Sequence, residues 1–411
     1  MESDGMLRHL AFFEELARLD ESDPSWRSVS AGLVTMRLAD SWLAGDVRGG
    51  ADAWAISAVR TAIDEVPNTT PIRRILRAVV DSIAASPIAE AHALSPRLMA
   101  YGQALEYDAK WSLAADVYQT IIAHSSPVDD ADLVVAAFLQ LAFCQRTVGD
   151  LDSAAAAYEQ ASRVALAAGD MIGVLRGRLG DAKLAMARGN LPRAELILEE
   201  TIERAKSSGL DDVHARALTD RAFVAGSRNQ HERAIRYSYD ALELSKSQRD
   251  RDRILANIAT GFRYLGLLDV ARDAYIVLAA TAQEQYIRWM SELNLMELAA
   301  AQGVELEFDK YRRDLEAADF TPQLRVTYLL HVGRGYNALG DASVAIPYLE
   351  RAIELASKHQ LNQLMFEAEE ALADAKRRET RPEPQRVARV DSSVQIVIDA
   401  IHEMKATVGA S

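Results

Sequence analysis

The sequence predicts an all-α protein organised as an α-solenoid. Three observations predict it. The 411 residues are 49% apolar, with only 21 glycines and 11 prolines, and alanine, leucine, glutamate and arginine lead the composition. That balance favours helices and allows a sizeable core. Turn residues recur in a steady frame: stepping back from Gly340, equivalent positions fall at Gly303, Gly266, Asn229, Gly189, Gly149 and Ala109, at intervals of 37, 37, 37, 40, 40 and 40 residues. Small and large apolar residues then keep fixed offsets from those turns.

Residues 1–94 lie outside the frame but have helical periodicity and read as an N-terminal helical bundle. Leu7, Leu10, Phe13 and Leu16 form a first stripe. Asp23-Pro24 is a cap followed by a first-turn proline, and Trp26, Val29, Leu33, Met36 and Leu43 continue the helix until Gly49-Gly50. Trp54, Val59, Ile63 and Val66 make a third stripe. Thr70-Pro71 starts a fourth, with Ile72, Ile75, Leu76, Val79 and Ile83. Trp26, Trp42 and Trp54 belong either to the bundle core or to an exposed aromatic face. Ser95-Pro96 is read as the cap of the first repeat.

Residues 95–358 carry the repeats. Five residues after each turn except Gly303 stands alanine: Ala114, Ala154, Ala194, Ala234, Ala271 and Ala345. Seven residues before the turn stands a small residue: Gly102, Ala142, Ala182, Ala222, Ala259 and Gly333. Tyr118, Tyr158, Leu198, Tyr275 and Leu349 fill a large slot, which Ser238 occupies in one copy. Small residues let two antiparallel helices approach, and the large one fills the space beside them. This spacing resembles the tetratricopeptide repeat (TPR), in about seven copies. The Gly303 copy departs from it, with Met296 and Phe308 where small residues belong, so residues 285–321 read as a distorted hairpin. The period exceeds the roughly 34 residues usual for the family, which implies longer helices or loops. The resemblance implies hairpins that hide their apolar faces only by stacking, in a superhelix whose first helices line a concave groove.

Residues 359–379 read as a capping helix, and 380–390, with two prolines and many charges, as a linker. Lys376, Arg377, Arg378, Arg381, Arg386 and Arg389 are either a solvated linker or a tether for an acidic partner. Residues 391–411 form an amphipathic helix whose seam is Val394, Val397, Ile398, Ile401 and Met404. That seam docks on its own array, enters a neighbour's groove, or pairs in a homodimer.

The net charge of −14 argues against a global hold on nucleic acid or an anionic membrane. The single cysteine, Cys144, fits a reducing compartment. The acidic start MESDGMLRHL is not that of a secretory signal, and no run of about 18 apolar residues occurs, so a cytoplasmic protein without a membrane span is expected. No phosphate loop, nucleophile elbow or HExxH pair is present. The DDAD run at Asp129–Asp132 lacks the glycine and distal glutamate of a calcium loop. The sequence therefore implies no enzyme, cofactor or metal.

In TPR domains, positions two, five, six, nine and twelve of the first helix tend to face the groove. The resemblance places Arg176, Arg216 and Arg253 at position two, and Gln140, Asn257, Asn294 and His331 at position six. Arg334 falls at position nine, and Arg146 and Arg263 at position twelve. Amides can read an extended backbone and arginines can fork onto carboxylates. The same arginines can instead pair with acidic residues of the next repeat. The reading is a non-enzymatic protein-interaction module for a peptide or partner segment, one with acidic groups included. Two alternatives stand beside it. The layout is similar to Rap-type peptide-sensing regulators, in which groove occupancy repositions the N-terminal bundle, although residues 1–94 carry no convincing helix-turn-helix. The other is a scaffold that self-assembles through the final helix.

Overall fold

A computed structural model describes residues 8–45, 53–85, 91–359, 361–377 and 390–409, and among them there are twenty helices and no strand. The fold is all-α, with helices packed on their sequence neighbours. The linker 380–389, Leu7 and the Gly49-Gly50 break lie outside the described residues. The chain forms two compact units, Met1–Val213 and His214–Ser411.

Unit 1 opens with α1 (Leu10–Arg18), α2 (Pro24–Leu43), α3 (Ala53–Asp64) and α4 (Pro71–Ala85). Asp23 caps α2 as expected: its carboxylate accepts from Ser25 N at 2.7 Å, and Pro24 takes the first turn, where a missing N–H costs nothing. The first stripe is turned differently from the expectation. Phe12 is the buried residue of α1, while Leu10 and Phe13 face outward. Trp42 is buried and Trp54 is 81% exposed, so the tryptophans divide between core and surface.

The repeats follow with α5 (Ala91–Tyr107), α6 (Trp111–His124), α7 (Ala131–Thr147), α8 (Leu151–Ala167), α9 (Met171–Ala187) and α10 (Leu191–Ser207). Ser95-Pro96 does not start α5. The helix begins at Ala91, and Pro96 lies inside its second turn. The bundle has no core of its own: one hydrophobic cluster runs from Phe12 and Trp42 through Val79 and Leu98 to Tyr118, Ala142 and Tyr158.

All seven turn positions read from the sequence adopt the left-handed conformation, from Ala109 (φ 58°) and Asn229 (φ 58°) to Gly149 (φ 91°) and Gly340 (φ 90°). Each closes a helix with the bond of a Schellman cap, such as Asp150 N to Gln145 O at 2.9 Å and Asp341 N to Tyr336 O at 2.8 Å. Gly169 and Gly209 repeat the device between hairpins. The long period now has a cause. Helices α7 to α10 each have 17 residues, and three-residue turns join them, which fills forty residues per pair.

Unit 2 continues with α11 (Asp211–Ser227), which starts in unit 1, then α12 (His231–Leu244), α13 (Gln248–Tyr264), α14 (Leu268–Thr281), α15 (Gln285–Ala301), α16 (Glu305–Glu316), α17 (Pro322–Ala338), α18 (Ala342–Lys358), α19 (Asn362–Arg377) and α20 (Ser392–Gly409). The second helices α12 and α14 have 14 residues, three fewer, which gives the 37-residue period. The irregular copy is a hairpin of α15 with a 12-residue α16. Its Phe308 is tolerated because the facing helix supplies Gly335, where a Cβ would stand 2.2 Å from the Phe308 ring.

Helix α20 lies against α12 and α14 of its own unit. Val394, Val397, Ile398 and Ile401 are buried there and Met404 is half-buried. Lys405 Nζ donates to Asp273 Oδ1 at 2.5 Å, which pins the far end. The seam read as a self-association surface is thus covered by the chain's own second helices, because they offer the nearest apolar surface.

Candidate functional site

On α13, Arg253, Asn257, Thr260 and Tyr264 stand at intervals of four, three and four residues, so they share one stripe, and all four are exposed. Phe223 on α11 is 62% exposed at position nine of its repeat, and Tyr264 is 61% exposed. Tyr264 is stacked on His231 with ring centroids 4.9 Å apart, which orders its ring. Arg253 forks onto Glu284, with its Nη2 3.1 Å from both carboxylate oxygens.

Beside the stripe runs a polar ladder. Arg263 Nη1 donates to Asn294 Oδ1 at 2.8 Å and to Glu297 Oε2 at 2.9 Å. Asn294 in turn donates to Met290 O at 2.7 Å. His331 Nδ1 lies 3.5 Å from Glu297 Oε2 and makes no hydrogen bond. Arg334 Nη2 lies 3.6 Å from Glu367 on α19. The ladder therefore joins α13, α15, α17 and α19. Burial pushes Glu297 upward, but His331, Arg263 and Arg334 outweigh it and hold the carboxyl below its usual range. Burial dominates at His331 and holds the imidazole below its ordinary value despite Glu297. Burial would lower Arg263, and Glu297 more than offsets it.

Six residues singled out from the sequence thus lie on α13, α15 and α17: Arg253 and Asn257 on the stripe, Arg263, Asn294 and His331 in the ladder, and Arg334 at its end. Arg216 is exposed on α11 of the same unit. The other three belong to unit 1. Gln140 lies near the Tyr118 hydroxyl, Arg146 lies over the Phe143 ring at 5.5 Å, and Arg176 pairs with Asp212 at 3.3 Å. Sequence reasoning missed Phe223 and Tyr264. A large apolar residue in a groove slot was the available signal for Phe223.

Among the described residues no group of three or more His, Cys, Asp or Glu side chains is arranged to hold a metal ion, and no helix is long and apolar enough to cross a membrane. Cys144 is buried, and burial together with Glu106 pushes its thiol far up, so it stays protonated.

Residues 326–359 match the tetratricopeptide repeat family model. No curated protein matches the chain. Among solved structures, the chain is similar to a signal transduction ATPase with numerous domains (STAND) protein with a tetratricopeptide repeat sensor from Pyrococcus horikoshii, at 12% identity and a TM-score of 0.48, covering 89% of this chain and 68% of that one. BtubC from P. vanneervenii aligns at 17% identity and a TM-score of 0.34, over 70% of this chain and 97% of that one. The P58(IPK) TPR domain aligns at 14% identity and a TM-score of 0.25, over 91% and 98%. The matched segment begins at the first position of the repeat whose turn is Gly340 and carries Gly333, Ala345 and Leu349 in their expected slots. The matched segment therefore resembles a tetratricopeptide repeat, a repeat type that builds protein–protein interaction modules.

Proposed function

We propose that unit 2 is a non-enzymatic interaction module that takes an extended peptide or partner segment along the α11–α13 face. The exposed stripe Arg253, Asn257, Thr260 and Tyr264 carries this reading, with exposed Phe223 on α11 as a second element of it. It offers an amide and a hydroxyl for a peptide backbone, two aromatic surfaces for side chains, and a cation for an acidic group. Arg253 is 53% exposed, and an exposed ion pair is worth only about 0–1 kcal/mol, so a ligand carboxylate can replace Glu284 at little cost. Arg263, Asn294, His331 and Arg334 serve in this reading as the rigid backing that fixes the stripe. Arg216 extends the contact surface on α11.

The test is selection of binding peptides on the full chain, followed by fluorescence anisotropy. Phe223→Ala with Asn257→Ala should weaken binding at least tenfold, since one lost hydrogen bond alone is worth about 1 kcal/mol. Arg253→Gln should weaken acidic peptides selectively. Unchanged affinity in both folded variants would sink the assignment.

A further inference from the structure

Unit 2 holds a cavity of about 460 Å³ where the last turns of α20 meet α12, α13 and α14. The seam of α20 is buried as far as Ile401. Its next members, Met404 and Val408, are only half-buried, and they line the cavity together with Thr407. Opposite them stand Leu242 on the last turn of α12, Val277 and Thr281 at the end of α14, and Leu255 on α13. Helices α12 and α14 have 14 residues, where the second helices α8 and α10 have 17. The space lies where the shorter helices end.

The lining carries one cation, Arg251, and one anion, Asp252. Asp252 is 2% exposed and both its oxygens are engaged: Oδ1 accepts from Gln248 Nε2 at 2.7 Å, and Oδ2 from Gln283 N at 2.9 Å. Arg251 is half-buried. Its Nη1 donates to Leu242 O at 2.7 Å and Ser245 O at 3.2 Å, which closes the end of α12 and fixes the guanidinium beside a residue of the cavity wall. The same clamp recurs at 37-residue intervals, with Arg288 Nη1 on Ala282 O at 2.5 Å and Arg325 Nη2 on Ala318 O at 2.6 Å. In those copies the rest of the guanidinium is taken up by the protein. Arg288 gives Nε and Nη2 to Gln285 Oε1, and Arg325 gives Nη1 to Glu316 O and lies over the Phe320 ring at 4.9 Å. Nε and Nη2 of Arg251 donate to no group among the described residues. Arginine stays charged at neutral pH, and its planar fork matches a carboxylate.

We propose that this cavity binds a small amphiphilic carboxylate. The carboxylate takes the open side of Arg251, and an apolar chain lies between Leu255, Val277, Met404 and Val408. The volume falls in the range of small-molecule sites, about 300–1,000 Å³. A cation would meet Arg251 as a like charge and find Asp252 already engaged, and an uncharged ligand would forgo the charge-assisted bond. None of the lining residues is a contact of the α11–α13 face, so the two readings stand or fall separately.

The test uses the full chain with carbon-13 in its methionine methyl groups, observed by NMR. Met404→Leu assigns the signal at the cavity among the 10 methionines. The probes are hexanoate, octanoate and 4-phenylbutanoate, with hexanol and hexylamine as controls. At least one acid should shift the Met404 signal saturably, with a Kd of about 1 mM or tighter. The alcohol and the amine should bind about tenfold more weakly or worse. Arg251→Gln should weaken the acid about tenfold or more, the loss expected for a charge-assisted hydrogen bond, and leave the alcohol unchanged. Because Arg251 also closes α12, Val408→Trp is the second variant: it fills the cavity from the last turn of α20 and should abolish the response of Met404. The proposal is overturned if no acid shifts Met404, if the controls bind equally, or if both folded variants bind as wild type does.

Discussion

Glu297→Gln tests whether the ladder holds unit 2 together. The carboxylate accepts a charge-assisted bond from Arg263 at 2.9 Å and faces His331 at 3.5 Å. Hydrogen bonds to charged groups are worth about 1.5–3 kcal/mol. Glu297 and Arg263 keep 23% and 35% of their side-chain surface exposed, which places the loss near the lower end, about 2 kcal/mol. For a unit of this size that corresponds to a fall of roughly 4–8 °C in Tm, read by calorimetry on the full chain. The cycle with Arg263→Gln should return a coupling of about 1 kcal/mol or more. The pH dependence follows in sign. The folded carboxyl titrates below its unfolded value, so its contribution is full above about pH 4.3 and is lost as pH falls through the lower folded value. The gap between wild type and Glu297→Gln should close there. His331 also titrates lower in the fold, so its contribution is full above about pH 6.5 and is lost on acidification, and His331→Gln should flatten that limb. A Glu297→Gln protein with wild-type Tm at pH 7, or a coupling near zero, refutes the reasoning.

Three further outcomes are expected. Gly335→Ala places a Cβ against the Phe308 ring and should cost about 1–3 kcal/mol, whereas in a Phe308→Ala background it should stabilise, by helix propensity; calorimetry reads the reversal. Ala109→Gly relieves a left-handed alanine and should stabilise unit 1 by about 1 kcal/mol, seen as a higher urea midpoint. Ile401→Ala removes a fully buried side chain of the α20 seam, and should cost about 2–5 kcal/mol and lower the hydrogen-exchange protection of α20. Its mass by light scattering should match that of wild type, and dissociation of an oligomer would return the seam to self-association.

The turns were legible in the sequence because a left-handed cap is a local demand. Glycine meets it at five of the seven positions, and Asn229 and Ala109 were found only because the frame required them. The small and large slots were legible for a similar reason: the close helix approach at Gly333 and Leu349 leaves little choice of volume. The irregular copy was half legible. Phe308 signalled a misfit, but its remedy, Gly335, lies on the next hairpin.

The candidate site was less legible. Position in a repeat says which face a side chain takes, not what it meets there. Asn257 and Arg263 sit six residues apart on one helix, and only the facing helix separates their roles: Asn257 is exposed, while Arg263 is tied to Asn294 and Glu297. Local backbone chemistry thus fixed the repeats, since each turn and slot answers to its immediate neighbours. Pairing, orphaned polar atoms and the docking of α20 were decided by tertiary structure, because charge, hydrogen bonding and apolar burial act through space between residues far apart in the chain.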